Sequence, residues 1–322
     1  RPLKRAKGCG FADCFNCAKR GDTSATGFVH KAGARYAGAV SATDFTDHPE
    51  GANSGASLKS SCAMTSVWNL TKHLKKAWAV QLDLLQELMR VCSKHGLKVF
   101  VDSGTLIGAV REHGFIPWDD DMDIGMPRAD YEKLIAHCKE WLPQRYEMVC
   151  YENDPSYPLH FAKIQDAETT LVERPHLYYL GGVFVDVFPI DGAPAQKWRQ
   201  RLWHLKYQFL RKMLYFSFRD PYKHGHGPSS WAPLIARWIK PMAGWQESIK
   251  KCTLEYKFEE SEYASVNHED GVGAMVPRKE VLGEPTPIEF EGRTFWGLAN
   301  NDSSFSSRSR FSERKLSAFV HK

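Results

Sequence analysis

Residues 119–123 hold four aspartates, in the run Asp119-Asp120-Asp121-Met122-Asp123-Ile124-Gly125. If residues 121–125 form a strand, Asp121 and Asp123 project from one face while Met122 and Ile124 pack on the other. Two carboxylates held 4 Å apart repel by roughly 4 kcal/mol at an effective dielectric of ~20, so a fold gains nothing from such a pair unless a cation neutralises it. A hard divalent ion such as Mg²⁺ or Mn²⁺, held by one or two carboxylates and substrate phosphates, suits this donor set. A third acid, Asp186, interrupts the apolar run Val183-Phe184-Val185-Asp186-Val187-Phe188. Burying a lone carboxylate is costly, so Asp186 is expected to face a metal, a cation or a cleft. Acids on two strands around a cation form a common site for metal-dependent phosphoryl or nucleotidyl transfer.

Competing readings are weaker. A calcium loop would need glycine where Ile124 stands, and position 130 is Asp. A glycosyltransferase D-x-D is closer but short. Asp119 and Asp120 taken alone read as a solvated loop. His113 and His160 lie beside these segments and are expected to be structural.

The elements that must position these acids can be read from periodicity. Leu74, Trp78, Leu82, Leu85, Met89 and Cys92 keep a helical period that stops at His95-Gly96. Strands are expected at 98–101, 121–125, 148–151, 161–165 and 183–190. Ser103-Gly104-Thr105 breaks the first strand from a short helix at 106–111. A helix opened by Pro127 buries Tyr131, Leu134, Ile135, Cys138 and Leu142. Trp198, Leu202, Leu205, Phe209, Met213 and Phe216 mark a long helix, 220–233 a loop, and 245–260 another helix. The fold class is therefore α/β or α+β, a mixed-sheet core followed by a mainly helical part.

Composition bounds the remainder. The chain has 322 residues and a formal charge of +5, with 43% hydrophobic residues. The charge is uneven: +5 in residues 1–72, −3 in 73–300 and +3 in 301–322. A mildly acidic body argues against a nucleic-acid face. Residues 1–72 hold only 10 Val, Ile, Leu or Phe, too few to bury a core, so this stretch reads as a flexible basic tail, as does 301–322. Arg1–Lys7 is basic, but no apolar region follows it as a secretory signal requires. With no Met at position 1, an upstream portion is expected to be missing or processed. No apolar run reaches 18 residues, so no transmembrane helix is expected. Cys9, Cys14 and Cys17, with His30, lack the paired knuckles of a zinc site. Cys92 and Cys138 fall on apolar helix faces, a usage that fits a cytosolic chain.

The run Ser103-Gly104-Thr105-Leu106-Ile107-Gly108-Ala109-Val110-Arg111, with Gly114-Phe115-Ile116-Pro117-Trp118 leading into Asp119–Met126, closely resembles the signature of the LicD family. That family takes in bacterial phosphocholine transferases and the eukaryotic fukutin and fukutin-related proteins. His160–Ile164 and Gly182–Gly192 are similar to its later blocks, so the likeness is clear over 82–192 and looser over 193–297. The resemblance implies a nucleotidyltransferase-like core within a domain at 73–300 (core 82–192, helical part 193–300). It implies transfer of a phospho-alcohol, phosphocholine or ribitol phosphate, from a CDP-linked donor to a sugar hydroxyl of a glycan. By position, Asp121 and Asp123 would hold the metal, Asp186 would be third ligand or base, and Asp119 an auxiliary acid. Gly104 and Thr105 would contact donor phosphate, aided by the helix N-terminus behind them.

Arg111 and Lys163 are the candidate phosphate cations, and Trp118 is read as a packing anchor rather than a cytosine platform. No nucleic-acid partner is expected; the basic tails could touch an anionic membrane. The compartment implied is the cytoplasmic membrane face for a bacterial chain and the Golgi lumen for a eukaryotic one. The C-terminal string Ser303–Lys322 lacks the family's terminal Tyr-Gly element. Two rivals therefore stay open: a nucleotidyltransferase of the same fold acting on a small molecule or nucleic acid, and a degenerate, binding-only relative.

Overall fold

The computed structural model describes residues 28–29, 35–36, 57–117, 119–172, 180–222, 228–265, 272 and 275–299. The Cys9, Cys14, Cys17 and His30 group, Trp118 and the 301–322 tail lie outside them.

Helix α1 (Ser57–Lys94) begins inside the stretch read as tail and continues well before the periodicity that starts at Leu74. It buries Leu84, Leu85, Leu88, Met89, Val91 and Cys92 in the main core. It stops because Gly96 takes a left-handed φ of 67°. Its neighbour Leu97 donates back to the Cys92 carbonyl at 2.9 Å, and Gly96 to that of Ser93 at 3.3 Å, a Schellman cap.

The sheet is built around β8 (Phe184–Ala193), which is buried along its whole length. Strand β4 (Asp123–Pro127) pairs with it in parallel. Strand β6 (Ala162–Asp166) pairs with it antiparallel on the other side, and β5 (Tyr146–Val149) pairs with β6. Beyond β4 lies β3 (Phe100–Val101); the far end of β8 continues into β9 (Tyr263–Ser265) and β10 (Met275–Pro277). A strand covered on both faces shows no alternation, which is why 183–190 reads as one apolar run. Helix α2 (Ser103–Arg111) follows β3 and α3 (Arg128–Trp141) follows β4. Two short strands, β1 (Phe28–Val29) and β2 (Arg35–Tyr36), extend β7 (Leu171–Val172).

Helices α4 (Lys197–Phe218), α5 (Pro228–Ile239) and α6 (Met242–Thr253) follow β8, and α4 and α6 share a second core. After these come β9, β10, the short α7 (Arg278–Val281), and a hairpin of β11 (Thr286–Phe290) and β12 (Arg293–Gly297). The α/β class stands, and the part expected to be mainly helical also returns strands to the central sheet.

Two expectations need correction. Residues 228–233 are not loop but the first turns of α5, with Pro233 inside the helix. The apolar stripe used to find α4 is not its buried face. Trp203, Tyr207, Leu210 and Leu214 are buried, while Trp198, Leu202, Leu205 and Phe209 face outward. Helix α4 carries two apolar stripes, and periodicity cannot tell which one meets the core.

Candidate active site

The strand register does most of the assembly. Asp123 stands opposite Asp186 across the β4–β8 pair, and Lys163 stands opposite Asp186 across β6–β8. Residues in register share a sheet face, so two acids and a lysine form one row. Asp121 lies just before β4, and its carboxylate joins those of Asp123 and Asp186, with one oxygen from each within 4.8 Å of the other two. The backbone locks this convergence: the Asp186 N–H donates to the Met122 carbonyl at 2.8 Å, and the Asp102 N–H to that of Asp123 at 2.9 Å.

Lys163 is only 3% exposed. Its Nζ lies 2.7 Å from Asp186 Oδ1 and over the Phe184 ring, 3.2 Å from the centroid. The expected phosphate cation is thus in the site, paired with the third acid. Arg111 is not. It ends α2, about 12 Å along the axis from Ser103 at 1.5 Å per residue, and pairs with Glu112 at 2.8 Å on the surface.

Gly104 and Thr105 are in the first turn of α2 rather than in a break before it. Asp102, which is buried, caps that turn by accepting the Ser103 N–H at 2.8 Å. Ser103 takes a positive φ of 46°, a strained conformation of the kind found where structure around a site over-determines the backbone. A Cβ on Gly104 would sit 2.5 Å from Asp119 Oδ2. The glycine therefore makes room for the neighbouring carboxylate, a requirement distinct from room for phosphate. The buried Thr105 Oγ1 accepts the Asp123 N–H at 2.8 Å, so Thr105 holds the metal-type aspartate in place.

Asp119 borders the triad and forms a second acidic group with Asp120 and Asp121. Burial, then the charge of Asp120, push its carboxyl up to about 6 against an opposing hydrogen bond with Asp121. The backbone of this loop hangs from α1. Trp78 Nε1 donates to the Asp119 carbonyl at 2.9 Å, and Gln81 Nε2 to the carbonyls of Asp120 at 2.9 Å and Phe184 at 3.2 Å. Trp78 also stacks on Phe115, with centroids 4.6 Å apart.

The β11–β12 hairpin buttresses the approach to the loop. Its Glu291-Gly292 turn has φ of 50° and 69°, as a two-residue I′ turn needs. Glu291 Oε1 accepts the Phe115 N–H at 3.1 Å, and the Glu291 N–H donates to the His113 carbonyl at 2.8 Å.

Sequence reading missed Asp102, Trp78 as a donor, Gln81 and Glu291 as positioning residues. Only Asp102 carried a signal, an N-cap type directly after a strand. His160, expected to be structural, bonds through Nε2 to the Tyr207 hydroxyl at 2.7 Å. Other buried acids on these strands have arginine partners: Asp166 with Arg145 and Asp191 with Arg128, each at 2.6–2.7 Å. Asp186 differs in facing two more carboxylates.

Residues 96–222 match the family described as LicD/FKTN/FKRP, nucleotidyltransferase domain. A lipopolysaccharide cholinephosphotransferase, LicD of Haemophilus influenzae, is 32% identical over 124 residues, 38% of this chain and 46% of that protein. An uncharacterised protein of Rickettsia prowazekii is 39% identical over 77 residues, 24% of this chain and 27% of its own length. The match therefore spans less than half the length of these curated relatives. The family match over residues 96–222 takes in β4, β6, β8 and the aspartates on and just before them, and over this stretch the chain is similar to the LicD family.

Proposed function

We propose that the protein is a divalent-metal-dependent phosphotransferase. In this reading it moves a phospho-alcohol, phosphocholine or ribitol phosphate, from a CDP-linked donor to a sugar hydroxyl of a lipopolysaccharide-type or other cell-surface glycan. The observation that carries this reading is the convergence of Asp121, Asp123 and Asp186 within 4.8 Å beside Asp119. The name of the Haemophilus relative supports phosphocholine as the transferred group and a lipopolysaccharide as acceptor.

The residues fit a hard divalent cation, because like charges gathered this closely, with one bordering carboxyl already pushed up to about 6, favour a neutralising ion. Asp121 and Asp123 would hold it, with Asp186 as third ligand. Bound there, Mg²⁺ or Mn²⁺ would supply positive charge against the oxygens of the transferred phosphoryl group.

The chain's own groups do the rest. Thr105 fixes the Asp123 backbone, and Trp78 and Gln81 fix the carbonyls of the preceding loop. In the reaction the acceptor oxygen forms a bond to phosphorus, the bond from phosphorus to the CMP oxygen breaks, and the hydroxyl proton passes to a carboxylate. Asp186 takes that proton when it is not a metal ligand, and Lys163 beside it offers an ammonium to the phosphate oxygens.

The test is a donor screen with and without Mg²⁺ or Mn²⁺. Metal-dependent CMP release from CDP-choline or CDP-ribitol is expected. Pyrophosphate release from a nucleoside triphosphate would instead make the protein a nucleotidyltransferase, and binding without turnover of any donor would make it a binding-only relative.

A further inference from the structure

On α4, Trp198, Leu202, Leu205 and Phe209 are exposed, Leu205 to 66% and Phe209 to 60%. At 100° per residue these four fall within about 60° of one another on the helix circumference. They lie opposite the buried stripe of Trp203, Tyr207, Leu210 and Leu214. Helix α5 repeats the pattern. Trp231 is 62% exposed and Trp238 86%, with Leu234, Ile235 and Ile239 on the same outward side, while Pro233 and Ala236 are buried. The two helices are adjoining: Arg237 of α5 donates to the carbonyls of Ser217 and Arg219 at the end of α4, each at 2.8 Å. Scattered apolar side chains on a surface need no explanation, but exposed stripes on two adjoining helices, with three tryptophans among them, do.

The charge around them is one-sided. Residues 193–240 hold 10 Lys+Arg against one acid, while the remainder of 73–300 holds 18 against 30. Helix α4 itself has six basic residues and no acidic one. Arg201 and Lys212 lie on one side of its exposed stripe, Arg199 and Lys206 on the other, with Lys206 also reaching Glu255 of the following segment. Bulky aromatic and aliphatic groups edged by long cationic side chains match the boundary of an anionic bilayer, where rings settle at headgroup depth and cations meet lipid phosphates. A protein partner would have to set acidic side chains on both sides of an apolar face to meet these cations, and a second copy of this chain would bring the same positive charge to the interface. No described helix is long and apolar enough to cross a membrane, so the contact is with the surface of the bilayer.

We infer that α4 and α5 form a docking surface for an anionic lipid bilayer. The inference does not depend on which donor the aspartate site uses.

The experiment is vesicle co-sedimentation of the full chain, using phosphatidylcholine alone and phosphatidylcholine with 30% phosphatidylglycerol (about 100 nm vesicles), at low and high salt. The wild type should pellet with the anionic vesicles, at least tenfold more than with neutral ones, and less at high salt. The pairs Leu205→Glu with Phe209→Glu, and Trp231→Glu with Trp238→Glu, should each cut the bound fraction at least tenfold. Because these side chains are exposed, circular dichroism and Tm should match the wild type. Three results would overturn the proposal. The wild type fails to pellet with anionic vesicles at low salt. Binding survives in both double variants, which would place the contact in the basic termini. Light scattering shows a dimer that these variants dissolve, which would make the face a self-interface.

Discussion

Asp123 is the residue on which the site turns, because it belongs to the acidic triad and is also tied to its neighbours through its backbone. Asp123→Asn should lower turnover of the working donor about a thousandfold, since ~4 kcal/mol of charge stabilisation at the transition state would be lost. The fold should not suffer, because the change removes like-charge repulsion. Thermal melts should show an unchanged or higher Tm in EDTA. Added Mg²⁺ should raise the wild-type Tm by mass action and leave the variant where it was. A variant that melted far below the wild type in EDTA would mean the triad is a structural network. Thr105 separates positioning from phosphate contact. Thr105→Val strands the Asp123 N–H in a buried setting and should cost ~1–3 kcal/mol in urea denaturation, while Thr105→Ser should restore most of it. If Val were as stable as wild type, the hydroxyl would not be holding that strand.

Among the elements, α1 ties two segments of the site together. Its Gln81 serves two carbonyls on separate segments, the Asp120 loop and the head of β8. Gln81→Leu should cost ~1–3 kcal/mol in stability, and it should weaken Mg²⁺ binding by calorimetry, because the loop and the strand carry different members of the triad. Full metal affinity in this variant would mean the loop is held by other contacts. The periodicity of α1 is plain in the sequence from Leu74, but its partners are not. A glutamine on the buried side of a helix reads as an exception until the carbonyls it serves are brought beside it. Helix α4 teaches the reverse lesson, since its most regular stripe, Trp198 to Phe209, is the one the core leaves out.

For the whole molecule, burial governs the described cysteines. Cys92, Cys138, Cys150 and Cys252 are free and buried. Burial, with lesser contributions from Asp130 and Glu152 respectively, pushes the Cys92 and Cys150 thiols up to about 12; burial and then Glu255 push Cys252 to about 11. Because the thiolate is the reacting species, these thiols should stay unlabelled by iodoacetamide at pH 8 in the native protein and react fully in guanidinium. Rapid native labelling at Cys92 or Cys150, read by peptide mass, would mean the core opens far more readily than its packing implies. Charge at this scale is also resolved by position. Asp119, Asp120, Asp121, Asp123 and Asp186 gather at the β4–β8 row, and residues 193–240 carry the excess of lysine and arginine.

The sequence by itself picked out the candidate site: aspartates at 121, 123 and 186 with a glycine and a threonine at 104 and 105, in an order that resembles one family. It could do so because carboxylates in apolar strands are too costly to be accidental, and because strand alternation and helical period are local properties. Tertiary structure decided everything that depends on what lies opposite. Register set Lys163 on Asp186. The space beside Gly104 went to Asp119, and Thr105 went to a backbone N–H. Packing chose which stripe of α4 to bury. Each of these is a relation between segments distant along the chain, and a local pattern carries no information about the partner that satisfies it.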